Sequence, residues 1–209
     1  MSSQPLDSKF HMHDEEDEKE KKESGSRLAS LLLLEGRTVL IQGGVDGELA
    51  GKVIQQLLTL EQDDPEAPIK VVLNSPGGSV TEGFAIYDVM RFVSCPIRIL
   101  CTGLTASIAT VILLAAEKEH RLALPSTRFL IHQPLIMGQV IGPASDLEIT
   151  ANEIIKTREH VNKMLADETG QSVEKVSRDT QRDYWMSSEE AVTYGLIARV
   201  VHKRAELGE

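Results

Sequence analysis

The sequence has few cysteines, few aromatic residues and no excess of basic charge. Its two cysteines, Cys95 and Cys101, cannot form a disulfide framework in a chain of 209 residues, and neither belongs to a pair with metal-ligand spacing. We expect both to be small buried apolar residues. Lysine and arginine total 22 against 32 aspartates and glutamates, a formal net charge of −10. This balance excludes a general nucleic-acid binder, because no basic stripe is present to meet phosphates.

Long hydrophobic runs are also missing. The longest apolar stretches, such as Leu31–Leu34 and Ile108–Ala116, fall well short of the roughly 20 residues that a membrane-spanning helix needs. No apolar stretch follows a basic start at the N-terminus, so no secretory signal is predicted. We therefore expect a cytoplasmic protein without membrane or nucleic-acid partners.

Residues 1–26 differ in composition from the rest of the chain. They contain eight acidic residues, four basic residues and almost no apolar ones. Such a segment cannot bury enough surface to offset the entropy lost on ordering, so it is predicted to be a disordered acidic tail. Residues 27–209 are expected to form one domain with a sizeable core.

After the tail, strand-length and helix-length apolar patterns alternate. This alternation predicts an α/β domain with a mainly parallel sheet. Strands are predicted at Thr38–Gln42, Ile69–Leu73, Ile97–Cys101, Arg121–Leu124, Arg128–Ile131 and Ala198–Val201. Helices are predicted to contain Leu49–Leu60, Thr81–Val93, Ser107–Ala116 and about Asp146–Gly170, with a last short helix capped by Ser187 and Glu190.

A glycine pair follows the second predicted strand, in the motif Asn74-Ser75-Pro76-Gly77-Gly78-Ser79. Three interpretations are open at this point. The pair could form a tight turn into the next helix, or bind phosphate, although neither the dinucleotide fingerprint nor a Walker lysine is present. Alternatively, a glycine N–H at the carboxyl end of the strand could stabilise an oxyanion.

Three further residues are candidates for chemistry, each with a simpler alternative. Ser107 is the first residue of the apolar helix. It could cap the N-terminus of the helix, or it could be a nucleophile placed where the helix dipole favours negative charge. Its surroundings are not the Gly-x-Ser-x-Gly elbow of the α/β-hydrolases. His132 lies at the end of a strand and could be either an ordinary residue at the edge of the core or a catalytic base. Asp183 lies near arginines in the sequence and could be either an ion-pair partner or part of a functional site.

Taken together, these segments resemble the ClpP family of self-compartmentalising serine peptidases. The resemblance extends from about Ser26 to His202 and is strongest in NSPGGSV, TASIA around Ser107, LPSTRFLIHQPL around His132 and RDTQRDYWMSSEEAVTYGLI. It implies the ClpP/crotonase-like α/β fold with a parallel β-sheet core and a protruding helix–strand handle at about residues 133–170.

The resemblance also implies the roles of the candidate residues. Ser107 is the nucleophile, His132 the general base and Asp183 the residue that orients the base, while Gly78 and Ile108 supply the backbone N–H groups of an oxyanion hole. These roles agree with the chemistry, because a serine hydroxyl needs a base and an imidazole suits that task near neutral pH. No metal and no organic cofactor are expected.

Assembly and partners follow from the same resemblance. It implies two stacked heptameric rings, of this chain alone or with a related chain, that enclose the sites and cleave peptides and unfolded proteins. An AAA+ unfoldase of the ClpX, ClpA or ClpC type is expected as a partner, because the chain has no Walker motif of its own. The chain departs from the family at two places. Lys70 and Val72 stand where the family has aromatic residues in the cleft that receives the unfoldase, which leaves Phe92 as the candidate aromatic residue there. Gln181 stands where the family often has an acidic residue of an inter-ring ion-pair network. It is therefore predicted to be a divergent member.

Two other functions compete with this hypothesis. The chain could be a scaffold subunit of a mixed ring that holds a misaligned triad, or a crotonase-like acyl-CoA enzyme on the same superfold. The second would not need serine, histidine and aspartate together, and the sequence shows no feature for an adenine nucleotide.

Overall fold

Seven β-strands alternate with helices in the computed structural model, which describes residues 30–135 and 141–207. The predicted tail, residues 1–26, and residues 136–140 of the predicted handle lie outside these ranges. Two units are distinguished: residues 1–38, in which helix α1 covers 30–35, and residues 39–209, which hold the elements discussed below. No helix of the described ranges is both long and apolar enough to cross a membrane.

The predicted strands and helices are present, several with bounds that differ from the prediction by a few residues. The strands are β1 (Thr38–Gln42), β2 (Ile69–Ser75), β3 (Ile97–Ala106), β4 (Arg121–Ala123), β5 (Arg128–Ile131), β6 (Tyr184–Met186) and β7 (Arg199–Val200). The helices are α2 (Gly47–Asp63), α3 (Val80–Phe92), α4 (Ile108–Leu113), α5 (Ala144–Thr169), α6 (Val173–Asp179) and α7 (Ser188–Tyr194), with 3₁₀ turns at Lys118–His120 and Arg204–Leu207. Helix α6 and strand β6 were not predicted from the sequence.

The sheet has a parallel core. Its strand order is β1-β2-β3-β4-β7, and β5 is a further strand that pairs with β3 on one side and β6 on the other. The described pairings β2–β3, β3–β4, β3–β5 and β4–β7 are parallel, whereas β5–β6 is antiparallel. The predicted α/β class with a mainly parallel sheet is therefore confirmed.

Strand β3 has different neighbours along its two halves. Ile99–Cys101 pairs with β4, and Leu104–Ala106 pairs with β5. The β2–β3 register shifts between the halves, where the Asn74 side-chain oxygen accepts a hydrogen bond from the Leu104 N–H (3.1 Å). The predicted strand ended at Cys101, because the second half contains Gly103 and therefore lacks a continuous apolar pattern.

Helix α5 packs only along its C-terminal half. Val161 and Leu165 are buried there, whereas Leu147 and Ile149 in the first half are exposed. The helix ends at Gly170, whose φ of 74° is the left-handed cap expected from the sequence. Apolar side chains of the first half are thus left uncovered by the described residues.

Both cysteines are buried, as predicted, and neither forms a disulfide within the described residues. Burial raises the pKa of the Cys101 thiol to about 12. This thiol therefore stays protonated at neutral pH and is not a nucleophile there.

Arg121 is a buried cation at the start of β4, with its side chain 1% exposed. Its Nε donates to the Ala116 carbonyl (2.8 Å), and one terminal nitrogen donates to the Leu114 carbonyl (3.2 Å) and to the Glu168 carboxylate. Leu114 and Ala116 follow the end of α4, where helix carbonyls lack partners and a positive charge is favourable. Arg121 therefore fixes the end of α4 that lies away from Ser107.

We predict that Arg121→Met lowers the free energy of unfolding by about 3 kcal/mol or more, because it leaves buried carbonyls and a carboxylate without their donor. Urea denaturation at one protein concentration measures the loss. The matched control is Arg91→Met, which removes the exposed Arg91–Glu117 pair (3.1 Å) and should cost less than about 1 kcal/mol. Equal losses in the two variants would contradict a special role for Arg121.

Candidate active site

Adjacent parallel strands bring Ser107 and His132 to one edge of the sheet. Ser107 directly follows β3 and His132 directly follows β5, and the last pair of the β3–β5 ladder joins Ala106 to Leu130. The Ser107 N–H also donates to the Leu130 carbonyl (2.9 Å). Main-chain pairing alone therefore places the two residues side by side.

Ser107 has a strained backbone and a side chain that does not cap the helix. Its φ of 57° and ψ of −128° lie in a region that costs a non-glycine residue about 1–3 kcal/mol. The side chain makes no capping hydrogen bond, although α4 begins at the next residue. Instead, Oγ lies 2.8 Å from the His132 Nε2. The N-cap interpretation does not describe this side chain.

His132 is hydrogen-bonded through both ring nitrogens. Nε2 lies 2.8 Å from the Ser107 Oγ, and Nδ1 lies 3.2 Å from the Asp183 Oδ1. The side chain of His132 is 16% exposed and that of Asp183 is 62% exposed. The imidazole therefore bridges a hydroxyl and a carboxylate at the boundary between protein and solvent.

Strand β6 places Asp183 beside His132. The antiparallel β5–β6 ladder pairs Ile131 with Tyr184, and one further step in the same register sets His132 opposite Asp183. Asp183 was a candidate from the sequence, but the strand that positions it was not predicted. Among the described ion pairs Asp183 is joined to His132 and to no arginine, so the arginine-pair interpretation is not what the structure shows.

Gly77, the first residue of the glycine pair, approaches Ser107 closely. Gly77 has a φ of 90°, and a Cβ atom added there would lie 2.7 Å from the Ser107 Cβ and 3.2 Å from the Ile108 nitrogen. Gly78 forms a parallel β-bridge with Val45: the Val45 N–H donates to the Gly77 carbonyl, and the Ser79 N–H donates to the Val45 carbonyl. Within the described ranges, the structure shows no hydrogen bond from the N–H groups of Gly78 and Ile108.

Ser75 supports the glycine pair and was assigned no role from the sequence. Its side chain is buried, and its hydroxyl donates to the Gly43 carbonyl (2.6 Å) and accepts from the Gly77 N–H (3.1 Å). The one sequence signal for it is a hydroxyl residue at the end of an apolar strand, two residues before Gly77. It holds the turn against the loop that follows β1.

A cavity of about 350 Å³ lies beside the imidazole and the carboxylate. Its lining residues are His132, Gln133, Leu135, Gln181, Arg182 and Asp183. Among the residues that the structure describes, no group of three or more His, Cys, Asp or Glu side chains could hold a metal ion. The chemistry that these side chains can perform themselves is proton transfer from a hydroxyl to an imidazole that a carboxylate orients.

Comparisons with known proteins agree on one family. A family model described as "Clp protease" matches residues 20–204. The ATP-dependent Clp protease proteolytic subunit 2 of Gluconobacter oxydans (strain 621H) is 49% identical over 177 residues, which cover 84% of this chain and 78% of that protein.

We predict that Gly77→Ala slows labelling of Ser107 by a fluorophosphonate at least about 100-fold, because the new Cβ displaces the Ser107 side chain or the Ile108 nitrogen. The matched control is Gly43→Ala. Gly43 has a similar φ of 83°, but an added Cβ there meets nothing within 4 Å. The control should lose only about 1 kcal/mol of stability and keep its labelling rate. Equal loss of labelling in both variants would mean that backbone strain, not the collision with Ser107, is responsible.

Proposed function

The chain belongs to the Clp protease family and is a peptidase, and from this premise we propose that it is a serine endopeptidase acting through Ser107, His132 and Asp183. The observation that carries the proposal is the imidazole of His132, hydrogen-bonded at 2.8 Å to the Ser107 hydroxyl and at 3.2 Å to the Asp183 carboxylate. The order of groups is the one that nucleophilic hydrolysis needs.

Acylation begins with attack on the peptide carbonyl. The Ser107 Oγ adds to the carbonyl carbon while the His132 Nε2 takes the hydroxyl proton. Asp183 keeps the Nδ1 proton on its own side of the ring and stabilises the imidazolium that forms. The imidazolium then gives its proton to the leaving amine, and the C–N bond breaks to leave an ester on Ser107.

Two main-chain groups are proposed to stabilise the tetrahedral intermediate. The N–H groups of Gly78 and Ile108 donate to the oxyanion, and Ile108 stands at the N-terminus of α4, where the helix dipole favours negative charge. Both donors belong to the backbone, so a β-branched side chain at position 108 is compatible with this role.

Deacylation repeats the proton transfers with water. His132 removes a proton from the water that attacks the ester, and Ser107 leaves with that proton. Each step uses only side chains, main-chain N–H groups and water, so the proposed mechanism calls on no cofactor.

We further propose that the peptidase works as two stacked heptameric rings with the sites inside. Support comes from the family and from Leu147, Ile149 and Ile155, which lie exposed on α5 and suit burial between subunits. The native mass of the assembly distinguishes rings of this chain alone from rings shared with a related chain. The cytoplasmic location expected from the sequence stays a prediction.

An AAA+ unfoldase is proposed to deliver folded proteins. The relative from Gluconobacter oxydans is named as ATP-dependent and as a proteolytic subunit. Phe92 at the end of α3 is 78% exposed, which suits the docking of an apolar loop. Lys70 and Val72 are half-buried in β2, so the proposed cleft offers less aromatic surface than the family pattern.

We predict that Ser107→Ala lowers turnover of a fluorogenic peptide by about 10³-fold or more and abolishes fluorophosphonate labelling. His132→Ala should lower turnover to a similar extent, and Asp183→Asn by about 10²-fold or more, because the imidazole loses its orienting carboxylate. Turnover is read beside the native mass, so that an unassembled variant is not taken for an inactive one.

The control is Ser126→Ala, at an exposed serine in the turn between β4 and β5, which should leave both measurements unchanged. An assembled wild-type protein that neither cleaves peptides nor reacts with the probe, alone or with a related chain, would favour the scaffold subunit instead. Activity that survives Ser107→Ala would exclude Ser107 as the nucleophile.

We predict that Phe92→Ser lowers ATP-dependent degradation of a folded protein at least about tenfold, in the presence of a Clp unfoldase, because an apolar docking residue is lost. Turnover of a short peptide without the unfoldase should stay within about twofold. Val173→Ser, at another exposed apolar side chain (46% exposed), is the control and should change neither rate. Equal rates for Phe92→Ser and the wild type in the degradation assay would remove Phe92 from the docking surface.

A further inference from the structure

Asp183 has an unusual setting for the carboxylate of a triad. Its side chain is 62% exposed, and the hydrogen bond to His132 is the one that the structure shows for it within residues 30–135 and 141–207. A carboxylate in a triad is otherwise held by burial and by further hydrogen bonds. The position of this carboxylate therefore depends on the main chain that carries it.

That main chain is a short turn between α6 and β6, residues 180–183. The turn is attached at one end by Thr180, which is buried and whose hydroxyl lies 3.0 Å from the Asn162 Oδ1 and 2.9 Å from the Val176 carbonyl. At the other end β6 begins, with its three-residue ladder to β5. Between these two attachments, the main-chain hydrogen bond that the structure shows for the turn is a long one, from the Gln181 N–H to the Arg178 carbonyl (3.3 Å).

Gln133 spans this gap from the opposite side. Its N–H donates to the Thr180 carbonyl (2.7 Å), and its side-chain amide donates to the Gln181 carbonyl (3.0 Å). Gln133 directly follows His132, so one residue links the chain that carries the base to the chain that carries the carboxylate.

We propose that Gln133 is a positioning residue that holds Asp183 on His132. The inference rests on the proposed serine peptidase function. The backbone hydrogen bond to Thr180 is available to any residue except proline at position 133, and the side-chain hydrogen bond to Gln181 is the part that the sequence specifies. Without it, the turn shifts and the exposed carboxylate moves off Nδ1, where a displacement of about 1 Å can cost up to about 100-fold in rate.

The test compares Gln133→Met with Gln171→Met. Methionine keeps the length of the unbranched side chain and removes the amide donor. Gln171 makes a matching hydrogen bond, from its side-chain amide to the Tyr194 carbonyl (2.9 Å), and neither Gln171 nor Tyr194 contacts the three site residues through any described hydrogen bond. Peptide turnover, melting temperature and native mass are measured for both variants.

We expect Gln133→Met to lower kcat about tenfold and to leave KM within twofold of the wild type. Gln171→Met should change neither kcat nor KM. The melting temperatures of the two variants should fall by equal amounts. The rate of fluorophosphonate labelling is also compared between Asp183→Asn and the double variant Asp183→Asn/Gln133→Met. The double variant should be less than about twofold slower than Asp183→Asn alone, because both substitutions act through the same carboxylate.

Each of the following results would overturn the inference. A raised KM with unchanged kcat would make Gln133 a substrate contact in the cavity that it lines. A full additional loss in the Asp183→Asn background would mean that Gln133 does not act through Asp183. Failure of both Gln133→Met and Gln133→Leu to fold, with Gln171→Met folded, would make the residue purely structural.

The same experiments separate this inference from the proposed function. Loss of labelling in Ser107→Ala together with an unaffected Gln133→Met refutes the role of Gln133 and leaves the serine peptidase intact. Labelling that survives Ser107→Ala refutes the function itself, and with it the role of Gln133.

Discussion

Strand β5 is hydrogen-bonded along both of its edges, and the candidate site depends on this. Its parallel edge meets β3 and its antiparallel edge meets β6, so three strand ends are held in fixed register. Ser107, His132 and Asp183 each stand one residue outside these ladders. Main-chain hydrogen bonds therefore determine how far apart the three side chains lie, and a slip of one residue would turn a side chain to the opposite face.

The parts of the fold that were predictable are those with a strong local pattern. Short runs of apolar residues indicate strands that pack into a core, and β1 and β5 were predicted with the bounds that the structure shows. The capping box of Ser187 and Glu190 is likewise present. Helix α6 was missed because Val176 is its one buried residue, and β6 was missed because three residues at a sheet edge show no periodicity.

The candidate site was predictable as a set of residues and not as a geometry. Ser107, His132 and Asp183 came from motifs that resemble a known family, but their distances follow from a strand that the sequence does not reveal. Ser75 and Gln133 were assigned no role, because their contacts join segments far apart in the chain. A polar residue that bonds across a fold leaves no periodic trace in the sequence.

The only tryptophan of the chain is Trp185, which lies on β6 two residues after Asp183. It stands opposite Leu130 on β5, is 47% exposed, and has the Arg128 guanidinium 5.9 Å from its ring centroid. Its indole thus sits on the same two-stranded ladder that aligns the base and its carboxylate. Fluorescence from this single chromophore will report whether that ladder is intact, so the alignment can be followed optically without adding a label.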